Sequence, residues 1–232
     1  MIFVHIGAGA GDLDPKAGFR DGFSEFVKKK KDITKEIFLV EANPKNISKL
    51  KKSWKNYKNI KIINKAIIPN NYNKKKIKLY YCDEDAPHYQ LLSSDVNHIK
   101  HYFPNSNIKS ITVKTLKIKE LFNSNFKNKT IESFSLDVEG LDYKLIMDLE
   151  LSKYNINNIS IEYMHLNFNQ KKKIVNKFIS NKFTYNGFGI DHNNFDWLFS
   201  NKKSLWNNLI AKLLPYIHRK HYKRLNKILF KI

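Results

Sequence analysis

Short apolar runs bounded by turn-forming residues alternate with segments whose apolar positions recur every three or four residues, and this rhythm organises the chain from residue 2 to about 200. Ile2-Phe3-Val4-His5-Ile6 reads as a buried strand. Residues 18–31 then place Phe19, Phe23, Phe26 and Val27 close to one helical face, and residues 36–41 read as a second strand. Asn43-Pro44 opens a helix through about Tyr57, with Pro44 suited to the first turn and Ile47, Leu50 and Trp54 as its buried stripe. Ile60 to Ile63 is a third strand. Right-handed crossovers in such a βαβαβ half bring the carboxyl ends of its strands to one edge.

The middle is less regular. Residues 76–81 read as a strand, a polar stretch runs through Ser93-Ser94 to Pro104, and Ile111-Thr112-Val113 is a further short strand, so this part reads as an insertion over the strand ends. Residues 116–122 are expected to be helical. Residues 133–138 form the fourth core strand, followed at Gly140 by a helix carrying Leu141, Leu145, Ile146 and Leu149. Residues 159–163 supply a fifth strand, 170–180 a helix, and 183–190 with 195–199 a terminal antiparallel pair. The expected fold is α/β, with a seven-stranded, mostly parallel sheet whose last strand is antiparallel. No internal repeat or linker divides residues 1–201, which read as one domain, and residues 202–232 read as a basic helical tail.

Composition narrows the classes. With 42% hydrophobic and 13% aromatic residues the chain can bury a sizeable core. No stretch approaches the length of an apolar membrane span, and the first residues lack a secretory pattern, so a cytoplasmic location is expected. The single cysteine, Cys82, has no internal disulfide partner and reads as a small apolar residue. The net charge of +21 invites a nucleic-acid reading, with an enzyme acting on RNA as one alternative. The charge is spread along a chain rich in Lys, Asn and Ile, which weakens that alternative. It concentrates only at the end, where residues 202–232 hold nine Lys or Arg and no Asp or Glu.

The candidate chemistry begins at Gly7-Ala8-Gly9-Ala10-Gly11-Asp12, directly after the first strand. Missing Cβ atoms let a backbone approach a ligand, and Glu41 at the end of the second strand offers a carboxylate to ribose hydroxyls. No Gly-Lys-Ser/Thr closes the turn as a triphosphate loop requires, and the glycine spacing departs from the dinucleotide fingerprint. S-adenosylmethionine, which has no pyrophosphate to cradle, suits these departures.

Five segments together, Val4-His5-Ile6-Gly7-Ala8-Gly9-Ala10-Gly11-Asp12, Val40-Glu41-Ala42-Asn43-Pro44, Asn64-Lys65-Ala66-Ile67, Ser93-Ser94 and Leu136-Asp137-Val138-Glu139-Gly140, resemble the FkbM-type methyltransferases. The resemblance spans roughly residues 2–200. It implies a Rossmann-like class I fold and S-adenosylmethionine-dependent O-methylation of sugar or natural-product hydroxyls. By the same resemblance Gly7, Gly9 and Gly11 line the methionine and ribose side of the cofactor, Glu41 binds the ribose, Ala42 lies beside the adenine, and Asp137 faces the methionine part or the reacting centre. His5 stands where the family commonly has an acidic residue, which puts a cofactor contact there in doubt, and it reads rather as a core histidine.

Methyl transfer to oxygen needs an aligned acceptor and a group to take its proton. Asp137, Glu139, Glu162 and His165 all fall at or just beyond carboxyl ends of adjacent strands, and Asp137, Glu139 and His165 are the catalytic candidates. Glu139 has a second reading, as an anion favouring the start of the following helix. The same four residues have ligand chemistry for a divalent cation, but their spacing establishes none, and His98 and His101 add little. No metal is therefore assigned.

In the tail, Trp206, Leu209, Ile210, Leu213, Leu214 and Ile217 recur at helical spacing beside Lys212, Arg219, Lys220, Lys223, Arg224 and Lys227, with Pro215 expected to kink the helix. One reading is a peripheral anchor on an anionic membrane face, which a lipid-linked glycan acceptor would suit. The other is a helix docked on the domain or on a second subunit. A membrane-associated binding protein that kept the fold without catalysis remains a further alternative.

Overall fold

The computed structural model describes residues 1–11, 22–30, 35–86, 89, 91–189, 195–202 and 204–230. Eleven strands and eight α-helices follow one another among them. In chain order they are β1 (Ile2–Ile6), α1 (Gly22–Lys29), β2 (Glu36–Val40), α2 (Pro44–Ser53), β3 (Ile60–Ile63), β4 (Ala66–Ile68), β5 (Lys76–Tyr81), α3 (Val96–Tyr102), β6 (Lys109–Lys117) and α4 (Ile118–Asn125). There follow β7 (Thr130–Leu136), α5 (Asp142–Asp148), β8 (Asn155–Ile156), β9 (Asn158–Glu162), α6 (Phe168–Ser180), β10 (Thr184–Phe188), β11 (Asp196–Ser200), α7 (Leu205–Leu213) and α8 (Arg219–Phe230).

The main sheet runs β10-β11-β9-β7-β1-β2-β3, with two-residue β8 beside β7. All its pairings are parallel except those of β11, which is antiparallel to both β9 and β10. Side chains of a strand alternate between faces, and the central strands are apolar on both. Ile2, Val4, Ile6, Phe38 and Val40 join the core beneath α4, α5 and α6. Phe3, Ile37 and Leu39 join a second core layer with Phe23 and Val27 of α1 and Leu50 of α2. His5 points into that second layer, 7% exposed, with its ring 4.6 Å from Phe23.

Local signals set the helix starts. Asn43 caps α2 by accepting from the Lys45 amide, with Pro44 in the first turn, where a missing N–H costs nothing. Asn167 and Gln170 form a reciprocal capping box at α6. Ser204 caps α7.

Several expected boundaries shift. The second strand stops at Val40, leaving Glu41 just beyond it, and α2 stops at Ser53, so that Trp54 folds into the core with its ring 5.2 Å from Tyr57. Leu116 and Lys117, expected in a helix, belong to β6 because they pair with Ile67 and Ile68 of β4. In the irregular middle the expected strands 76–81 and 111–113 appear as β5 and within β6, and they join β4 in a separate sheet, β4-β6-β5; β4 and the helix α3 were not expected. Asp12, Phe19 and Ile190, which belong to expected elements, lie outside the described residues.

Residues 204–230 pack on the sheet through one face. Ile210, Ala211, Leu214 and Tyr222 join the main core, Tyr222 lies 4.9 Å from Tyr163, and the Tyr185 hydroxyl donates to Asn226 Oδ1 at 2.9 Å. A single 3-10 turn, Leu214–Tyr216, separates α7 from α8 at Pro215.

Candidate active site

β1, β2, β7 and β9 run parallel, so their carboxyl ends stand side by side. The chain leaves β1 toward β2 on one side and returns as β7 on the other, which is where doubly wound sheets open a crevice between diverging loops. Every candidate named from sequence falls along this edge.

The three glycines do three different things. Gly7 has φ +88°, and a Cβ there would sit 1.5 Å from the Asp137 carbonyl oxygen, so its bareness lets the backbones leaving β1 and β7 approach closely. Gly11 has φ +70°, and a Cβ there would press on Leu50 and Ser53 of α2. Gly9, at φ +55°, alone of the three leaves the space of its absent Cβ open. Its amide donates to Glu41 Oε2 at 2.7 Å, while the Asn43 amide donates to Oε1 at 2.6 Å.

Glu41 is 6% exposed, and burial pushes its pKa up to about 7 against the opposing pull of the two amides. Two donors leave lone pairs on both oxygens for further hydrogen bonds. Asn64 fixes the turn from outside, donating from Nδ2 to the carbonyls of Glu41 at 2.8 Å and Ala42 at 3.1 Å. Ala42 itself is half-buried.

Across the crevice, the Asp137 amide donates to the Ile6 carbonyl at 3.0 Å, so the residue begins just where β7 leaves the sheet. Its Oδ1 is buried without a hydrogen-bond partner. Burial, and then Glu162, Glu139, Asp142 and Asp196 in that order, hold the Asp137 carboxyl well above its ordinary range. These are five carboxylates from a chain with only 21 acids against 42 Lys and Arg. A cation brought here is favoured over an anion or a neutral group.

The turn after Asp137 presents Glu139. Asp142 accepts from the Val138 amide at 3.0 Å and the Gly140 amide at 3.3 Å, which pins the turn from the first residue of α5. Burial raises the Asp142 pKa to about 7. Within the turn Glu139 adopts φ +49°, a conformation that costs a non-glycine residue energy and persists only when its surroundings hold it. Ser93 supplies one such hold. Its hydroxyl donates to the Glu139 carbonyl at 3.1 Å, while its backbone pairs with Tyr80 of β5. The smaller sheet is thereby tied to the site.

Glu139 Oε2 lies 2.9 Å from His98 Nε2 and 3.4 Å from His165 Nε2, and Glu162 Oε1 lies 3.3 Å from His165 Nε2. The hydrogen bond to Glu162 raises the His165 pKa, burial opposes it, and the charges of Glu162, Glu139 and Asp142 add to the rise. The two imidazole rings are 4.6 Å apart at a steep angle. Ligand atoms of His98, Glu139 and His165 all lie within 4.8 Å of one another, which makes them able to hold a metal ion.

The structure thus joins Gly9 to Glu41 and Glu139 to His165, and it sets the Asp137 carboxyl within electrostatic reach of Glu162 and Glu139. It gives Gly7 and Gly11 packing contacts. His98 enters the cluster although its sequence position offered no reason to choose it, while His101 stays out, its ring against Tyr102 at 5.1 Å. Cys82 is buried and free.

A family model described as the methyltransferase FkbM domain matches residues 5–223. No curated protein and no solved structure matches the chain.

Proposed function

The chain belongs to the FkbM methyltransferase family, and on that premise we propose that it is an S-adenosylmethionine-dependent O-methyltransferase of the class I type, acting on a hydroxyl of a sugar or glycan. The observation that carries this reading is the buried Glu41 carboxylate, held by the Gly9 and Asn43 amides and beside the open space at Gly9. It suits a ribose diol, which donates two hydrogen bonds to one carboxylate. When bound, the cofactor supplies an activated methyl group on a sulfonium. Its positive charge fits a crevice in which five carboxylates act on one another.

Asp137 is assigned to the donor side of the reacting centre, and Glu139 with His165 to the acceptor side. These groups orient the acceptor oxygen and receive its proton, at sites where burial and mutual repulsion raise the proton affinity of Asp137. Their closeness to the Glu41 turn rests on backbone contacts between neighbouring strands, which favours an aligned, in-line approach. The test is calorimetry with S-adenosylhomocysteine, followed by labelled methyl transfer to sugar nucleotides and lipid-linked glycans. Absence of cofactor binding, or transfer to RNA alone, defeats the proposal.

A second observation bears on where the acceptor is met. Leu205, Trp206, Leu209 and Leu213 of α7 are 57–87% exposed, on a segment with nine basic and no acidic residues. The ring of Phe168, three residues after His165, lies 5.0 Å from Tyr216 just beyond that stripe. Among the described residues no helix is long and apolar enough to cross a membrane. These features support peripheral attachment to the anionic cytoplasmic face of a membrane, with the site edge turned toward lipid-linked acceptors.

A further inference from the structure

We infer that His98, Glu139 and His165 form a binding site for a first-row divalent transition-metal ion. Donor atoms bound at about 2.1 Å lie roughly 3.0 Å apart at right angles and roughly 3.4 Å apart at the tetrahedral angle. Glu139 Oε2 stands at 2.9 Å and 3.4 Å from the two Nε2 atoms, so these two spacings are already those of a coordination shell, and one ligand atom from each residue lies within 4.8 Å of the others. One carboxylate oxygen faces both imidazoles. A carboxylate oxygen can accept from both rings, and the same convergence of two nitrogens and one oxygen is what an ion requires.

The surroundings agree with this assignment. Side chains of all three residues are 15–20% exposed, which leaves room for exchange with solvent and for an incoming acceptor. Glu162 adds a second negative charge, with Oε1 at 3.3 Å from His165 and Oε2 buried without a hydrogen-bond partner. Tyr102 stacks edgewise on His98 at 5.4 Å and on His165 at 6.3 Å, restricting both rings. The three ligands come from α3, from the turn after β7 and from the loop after β9, and the Ser93 hydrogen bond holds the first two together. Glu139 keeps its left-handed backbone in the process.

Two imidazoles and one carboxylate favour zinc, manganese or iron over magnesium or calcium, which prefer oxygen alone. The consequence for catalysis rests on the methyltransferase reading. An ion there would orient the acceptor hydroxyl and make its proton easier to remove.

The test is calorimetric titration of the full chain, stripped with chelator, with zinc, manganese and magnesium salts in turn. One equivalent of zinc or manganese is expected to bind, with magnesium weaker by about tenfold or more. His98→Ala and Glu139→Gln should weaken binding by about tenfold or more, and His101→Ala should not. Should His98→Ala lose its fold by circular dichroism, His165→Gln takes its place in the comparison. Absence of saturable binding, binding indifferent to His98 and Glu139, or an equal loss in His101→Ala overturns the site. S-adenosylhomocysteine titrated into the same samples reads the family function separately, because retained cofactor binding in His98→Ala is expected whether or not the ion binds.

Discussion

The Gly9 amide and the Glu41 carboxylate, 32 residues apart in sequence, meet at 2.7 Å where β1 and β2 end. The carboxylate thereby closes the glycine turn and keeps a lone pair on each oxygen for a further donor. Glu41→Gln keeps the shape and one acceptor oxygen but loses the charge. Its affinity for S-adenosylhomocysteine is expected to fall about 10- to 100-fold, the range for hydrogen bonds to a charged group, with the far-ultraviolet spectrum unchanged. Unaltered affinity in calorimetry would remove Glu41 from the site.

Acidity at Glu41 predicts two opposite pH trends. Burial lifts its pKa from 4.5 to about 7, so the fold favours the neutral form. That contribution, about 3 kcal/mol, is fully present below the unfolded value and lost as pH rises through the folded one. The melting temperature of the native chain minus that of Glu41→Gln should therefore decline between about pH 5 and pH 8. Cofactor affinity should rise over the same window, because the ionised carboxylate is the better acceptor for ribose hydroxyls. Parallel trends in the two measurements would contradict the assignment.

Alanine at the first two glycines should separate folding from binding. Gly7→Ala drives a Cβ into the Asp137 carbonyl at φ +88° and should destabilise the chain by roughly 3 kcal/mol or more, read in urea unfolding. Gly9→Ala meets no neighbour, so only its φ of +55° opposes it, at a cost of about 1 kcal/mol. Its loss should appear as weaker cofactor binding. A Gly9→Ala protein that binds S-adenosylhomocysteine normally would place the cofactor elsewhere.

Attachment to lipid is checked by sedimenting the full chain with vesicles of mixed neutral and anionic lipid. Trp206→Ser with Leu209→Ser removes apolar area from an exposed face and should leave stability within about 0.5 kcal/mol. Bound protein should drop several-fold for that pair, and for the unaltered chain as salt rises. Equal sedimentation of both proteins, or none with anionic vesicles, would dismiss the anchor.

The main sheet was legible because its strands are continuous apolar runs set between amphipathic helices, a pattern that Ile2–Ile6 and Glu36–Val40 display without help from distant residues. The smaller sheet was legible only in β5, Lys76–Tyr81, and in the middle of β6. Ala66–Ile68 is a three-residue strand only a few residues beyond β3, and β6 exposes Lys109, Ser110 and Thr112, so its alternation is legible at Ile111 and Val113 alone. Helix α3 buries only Ile99 and therefore carries no stripe, although the Asp95 cap that accepts from Asn97 was a local sign of its start. Glu139 and His165 were found because both follow recognisable strands. His98 sits 41 residues before Glu139, on an element whose position depends on the Ser93 hydrogen bond, and no spacing rule reaches that far.

The absent side chain of Gly7 is filled by the backbone of Asp137, so the two loops that flank the crevice are geared to each other through main-chain atoms alone. Exchange of side chains in the β4-β6-β5 attachment can then proceed without disturbing that junction, which no side chain mediates.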